Sequence, residues 1–148
     1  MKTSTKELQE GLVANMQSWQ KVEDASIAST GRVIEKTDNP VVRLVMEIIQ
    51  RDSQMHHRVQ QWIADGLTGK AVSLSPDELG EVWEMIEQHI AIEKKTQTLA
   101  RESLEAAKGS RGMLLQAYLL EYLLEDEKKH DLLLQRLGEI QKGMYPYA

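Results

Sequence analysis

Apolar positions recur every three or four residues along almost the whole chain, and no stretch alternates with a period of two, so the pattern predicts helices. Leu8, Leu12, Met16 and Trp19 step along one face of a first segment, over about 5–36, which Ser4 and Glu7 open as a capping box. Asn39 and Pro40 restart the pattern as N-cap and first helical residue. This second segment, about 40–65, carries Leu44, Val45, Ile48, Ile49, Val59 and Ile63 and stops before Gly66. Ser75-Pro76-Asp77-Glu78 combines a capping box with proline at the first helical position, the strongest start signal in the chain. It opens a third segment, about 76–108, with Leu79, Val82, Ile86, Ile90 and Leu99 on one face. Gly109-Ser110-Arg111-Gly112 closes that segment, and Ser110 is placed to cap a fourth over about 111–142, leaving a short tail.

Each segment has roughly 26 to 33 residues, or about 40–50 Å at 1.5 Å per residue. Four long amphipathic helices in one chain describe an all-α four-helix bundle. The connections between helices 1 and 2 and between helices 3 and 4 are short, which makes each pair an antiparallel hairpin. The middle connection, from Gly66 to Leu74, reads as extended and would span about 30–35 Å when stretched. That reach suits a crossover between two parallel helices, while a plain up-down-up-down bundle stays open.

The length of 148 residues suits a single domain over 1–148, and 41% apolar residues supply a core. Composition then removes several chemistries. Zero cysteines exclude thiol catalysis, iron–sulfur ligation and disulfides. A net charge of −5 disfavours nucleic acid as a partner. Charges break every apolar run, so no membrane span is expected. The first ten residues lack the apolar region of a signal peptide, and the expected location is cytoplasmic.

What interrupts the apolar stripes is more informative. The stripe through Leu12, Met16 and Trp19 continues to Glu23. Asp52 and His56 break the second helix, His89 and Glu93 the third, and Asp126, Glu127 and His130 the fourth. A buried carboxylate is costly unless it is paired or binds a cation. Four such interruptions at similar depth point to one shared cation site.

Glu127-x-x-His130 places a carboxylate and an imidazole one turn apart on one helix face. An internal repeat supports it. Residues 46–63 align without gaps on residues 120–137, matching Glu47 with Glu121, Asp52 with Asp126 and His56 with His130. Helices 1 and 3 align with Glu23 opposite Glu93. The chain reads as two copies of one helical hairpin, each contributing half a site.

On these motifs the sequence resembles the ferritin-like di-iron carboxylate superfamily, which includes bacterioferritins and rubrerythrins. The resemblance implies a ferritin-like bundle of two antiparallel hairpins joined by a crossover, with Glu23, His56, Glu93, Glu127 and His130 as metal ligands. Asp52 is either a ligand or a residue that orients a ligand histidine, Asp126 is of the orienting kind, and His89 stands beside the site. The implied cofactor is two iron ions, with manganese or zinc as alternatives. The implied work is oxidation of Fe(II) by oxygen or peroxide in iron handling or stress defence, in a homodimer or larger homo-oligomer, with any electron donor outside the chain. One departure stands out: Ser53 occupies the position of Glu127 in the first repeat. Three accounts stay open. Asp52 turns inward, His89 adds a ligand, or the site is weakened.

A second class of function fits the same residues. In it the fold persists as a non-redox helical interaction protein, with a degenerate or single-ion site. Glu7, Glu10, Glu78, Glu121 and Glu125 read as solvated-face residues, His57 and His89 as hydrogen-bonded ones, and Trp19, Trp62 and Trp83 as packing anchors.

Overall fold

The computed structural model describes residues 3–69 and 74–147. They form four helices, α1 (Thr5–Lys36), α2 (Pro40–Thr68), α3 (Pro76–Lys108) and α4 (Leu114–Gln141). No strand occurs among the described residues. The chain divides into two compact units, residues 1–72 and 73–148, each built on one helical hairpin. Residues 70–73 of the middle connection, which the sequence reads as extended, lie outside the described residues.

Capping explains most of the boundaries. Ser4 accepts from the Glu7 amide while Glu7 accepts from the Ser4 amide, and Ser75 and Glu78 repeat the arrangement at α3. Asn39 Oδ1 accepts from the amides of Val41 and Val42, ahead of Pro40, whose missing N–H leaves nothing unpaired. Helix α2 runs through Gly66 and ends at Gly69, whose φ of 146° no helical residue adopts. Helix α4 differs from expectation. Ser110 does not cap it; its hydroxyl turns back to the Ala106 carbonyl at 3.5 Å. Gly112, at φ 83°, breaks the chain direction, and α4 starts at Leu114 behind Met113, which offers no side-chain cap.

Cross-helix contacts give the direction of each pair. Gln20 meets Gln61, Ser26 meets Ser53 and Ile27 meets Gln50, so rising numbers on α1 face falling numbers on α2. In the second unit Glu93 meets His130 and Thr96 meets Glu127, again antiparallel.

The two seams differ in chemistry. In the second unit Ala100, Leu104 and Leu124 form an apolar core, with Ala117 and Leu120 packed against it. Further along, Gly138 lies against the Trp83 ring, where a Cβ would come within 3.3 Å. In the first unit the buried residues are Met16 and Ala64 together with Glu23, Thr30, Ser53 and Gln60. Thr30 satisfies its hydroxyl on the Ser26 and Ile27 carbonyls, and Gln50 donates to Ile27 as well.

The large apolar residues read as stripes are mostly not in these seams. Leu8, Leu12, Trp19, Ile49, Val59 and Ile63 are exposed, as are Val82 and Leu99. A pair of helices closes only the narrow line where their axes approach, and an apolar arc wider than that line stays outside it. In the first unit small and polar side chains, Ala64, Thr30, Ser53 and Gln60 among them, sit on that line.

The reciprocal cap at Ser75 predicts a measurable cost. Ser75→Ala removes both side-chain hydrogen bonds of that hydroxyl and should lower stability by about 1 kcal/mol, read as a lower urea midpoint with an unchanged slope.

Candidate metal centre

The second unit gathers its polar residues at one level of the hairpin. Among the described residues, Glu93, Glu127 and His130 offer ligand atoms that all lie within 4.8 Å of one another. His130 Nδ1 stands 3.3 Å from Glu93 Oε2 and 3.8 Å from Glu127 Oε2. His89, one turn before Glu93, places Nε2 2.9 Å from Glu93 Oε1. Asp126 Oδ2 lies 3.5 Å from the other ring nitrogen of His130, and its Oδ1 meets Lys129 Nζ at 2.6 Å.

Thr96 binds the two helices together here. Its hydroxyl lies 2.8 Å from both the Glu93 carbonyl oxygen and Glu127 Oε2, so one proton serves a backbone and a carboxylate acceptor. This holds the Glu127 side chain in one orientation. The side chains of Glu93 and Glu127 are 15% and 19% exposed and that of His130 is 38% exposed. The carboxylates are shielded while the imidazole reaches solvent.

The electrostatics favour an ionised Glu93. A hydrogen bond with the Glu127 carboxyl lowers its pKa below the ordinary 4.5, partial burial opposes the change, and the His130 and His89 imidazoles assist it. A carboxylate that resists protonation is a ready cation ligand, because metal and proton compete for the same lone pairs.

The first unit presents a related but poorer set. Glu23 is buried, and its Oε1 lies 3.3 Å from His56 Nδ1. Gln60 Nε2 donates to the same oxygen at 3.3 Å. In the register of the repeat, Ser26 and Ser53 stand where Thr96 and Glu127 stand in the second unit. Their hydroxyls bond each other at 2.9 Å, so the hydroxyl–carboxylate tie has become a hydroxyl–hydroxyl tie. Asp52 is half-buried, and among the described residues no hydrogen bond or ion pair of its side chain joins this cluster. His57 pairs with Asp24 at 3.5 Å, away from Glu23.

The sequence pointed to Glu23, His56, Glu93, Glu127 and His130 as ligands of one shared site; within the first hairpin the structure brings Glu23 to His56, and within the second it brings Glu93, Glu127 and His130 together. The sequence reading missed Thr96, Ser26 and Gln60. The repeat carried a signal for the first two, since a hydroxyl residue follows Glu23 and Glu93 at the same spacing. Gln60 carried none, since a glutamine on a long helix is ordinarily solvated.

No protein-family model, curated protein or solved structure matches this chain.

The lowered Glu93 pKa fixes the sign of a pH effect. A carboxylate with a depressed folded-state pKa contributes stability that is full above the ordinary 4.5 and lost as pH falls through the depressed value. With metal chelated away, the wild-type protein should lose this share of stability on acidification below 4.5. Glu93→Gln should lack that acid-side loss, as followed by thermal melts across the pH range.

Proposed function

We propose that the chain is a ferritin-like metal protein whose Glu93, Glu127 and His130 hold a divalent cation, iron foremost, in the service of Fe(II) oxidation. The observation that carries this reading is the convergence of two carboxylates and an imidazole from two helices within 4.8 Å. Oxygen ligands with one imidazole suit iron and manganese, and they accept zinc. Bound iron would supply the electrons that oxygen or peroxide takes up.

The protein's own residues contribute three things. Glu93 and Glu127 offset the charge of a divalent ion and shield it from bulk water. Thr96 and Asp126 orient Glu127 and His130, so a ligand atom does not have to be ordered when the ion arrives. His89, already against Glu93 Oε1, is placed to add a second imidazole, one of the three accounts of the missing carboxylate at Ser53.

A non-redox helical interaction protein is the second reading. The mutual bond of Ser26 and Ser53 favours it, because it closes without any ion the place where the other repeat offers a carboxylate.

An anaerobic Fe(II) titration followed by admission of air tests the reading. The wild-type chain should bind at least one iron and oxidise it faster than buffer does. Glu127→Ala and His130→Ala should each weaken binding by about tenfold or more, since both remove a direct ligand. Binding without oxidation would favour the second reading, and no binding would overturn the metal centre itself.

A further inference from the structure

The first hairpin carries a cleft of its own between α1 and α2. It holds about 220 Å³ and is lined by Met16, Trp19, His56, Val59, Gln60 and Ile63. These residues divide by depth. Met16 and Gln60 are 7% and 3% exposed and form the floor, whereas Trp19, Val59 and Ile63 stand exposed around them. The volume lies between the roughly 150 Å³ that admits one benzene and the roughly 300 Å³ at which pockets for drug-sized molecules begin. Such a space takes a molecule of one ring or two fused rings.

The Gln60 amide at the floor is satisfied at one end alone. Its Nε2 donates to Glu23 Oε1 at 3.3 Å, which sets the nitrogen toward the carboxylate and leaves the oxygen to the cleft. That Oε1 is the buried side-chain polar atom without a hydrogen-bond partner among the described residues. A buried acceptor left bare is costly, so a donor that reaches it gains more than it would at a solvated oxygen. Water answers it poorly. A buried water needs about two to four polar partners, and the walls made by Met16, Val59 and Ile63 supply none. An aromatic molecule with one N–H or O–H meets both demands. Its ring packs against the Trp19 indole, the Met16 thioether and the aliphatic walls, and its donor ends on Gln60 Oε1. A charged molecule would shed its hydration against those walls, so the class is neutral.

We propose that this cleft is a binding site for a small neutral aromatic molecule bearing one hydrogen-bond donor, of the phenol or indole kind, with Gln60 as the residue that selects it. A ligand of the same shape without the donor fills the walls and leaves the oxygen bare, which is the basis of the selection. The site uses none of Glu93, Glu127 and His130, so it is independent of the metal-binding reading of the second hairpin.

Phenol and toluene share a ring and differ by a hydroxyl in place of a methyl. Each is titrated into the full chain and followed by the methyl NMR shifts of Met16, Val59 and Ile63. The wild type should bind phenol at least as tightly as toluene, although water holds phenol better. Gln60→Leu should shift that ratio about tenfold toward toluene, by the loss of one buried hydrogen bond. Val59→Trp, at an exposed position, should fill the cleft and abolish the binding of both. Toluene favoured tenfold by the wild type, a ratio indifferent to Gln60→Leu, or no shift at the three methyl-bearing residues overturns the inference. Where Gln60→Leu does not fold, the Gln60 side-chain carbonyl carbon of the wild type decides. It should shift with phenol and not with toluene, and a shift common to both removes the amide from recognition.

Discussion

Carboxylates set into the seam of a helical pair are the constraint on which the other features of both hairpins depend. Moving an unpaired carboxylate out of water costs several kcal/mol, and the backbone around it is already committed to helix. Something must therefore meet the charge. At Glu93 the partners are the Glu127 carboxyl and two imidazoles. At Glu23 they are one imidazole and one amide. The residues flanking these atoms follow from this need. Thr96 is a hydroxyl because Glu127 must be held, and Ser26 is a hydroxyl because Ser53 must be satisfied once it is buried.

The same need explains why the first seam is polar where the second is apolar. Ala100, Leu104 and Leu124 close the second hairpin away from its acidic cluster. The first hairpin instead buries Thr30, Ser53 and Gln60, each hydrogen-bonded across or along the pair. Hydrogen bonds specify register more sharply than they stabilise, since the net gain of each is about 1 kcal/mol. Gln20 with Gln61 and Gln50 with Ile27 add to that register. A one-residue slip of α2 would unpair all of them at once.

The helices themselves were legible in the sequence because their signals are local. Ser4, Asn39 and Ser75 cap where their side-chain chemistry allows, and Pro40 and Pro76 follow where a missing N–H costs nothing. The start of α4 was not legible, because Ser110 offers a plausible cap while the decision falls to the left-handed φ of Gly112. The histidines and glutamates were legible as polar breaks in apolar stripes. The stripes misled about burial, however. Met16 is buried while Leu12 and Trp19, on the same face, are not. Periodicity gives the direction of an apolar arc, whereas the line along which two helices touch depends on which residues are small enough to let them approach.

Gln60 shows where such reading stops. Its side chain is polar in a stripe running through Val59 and Ile63, and glutamine on a long helix is ordinarily solvated. Only the pairing of α1 with α2 reveals that it is buried and aimed at Glu23. The first hairpin buries Glu23 and meets its charge with one imidazole and one amide, both set on α2 one turn apart. A buried carboxylate answered by neutral donors from a single neighbouring helix depends on the exact register of the pair, because among the described residues no mobile lysine or arginine is there to follow it if the helices slide.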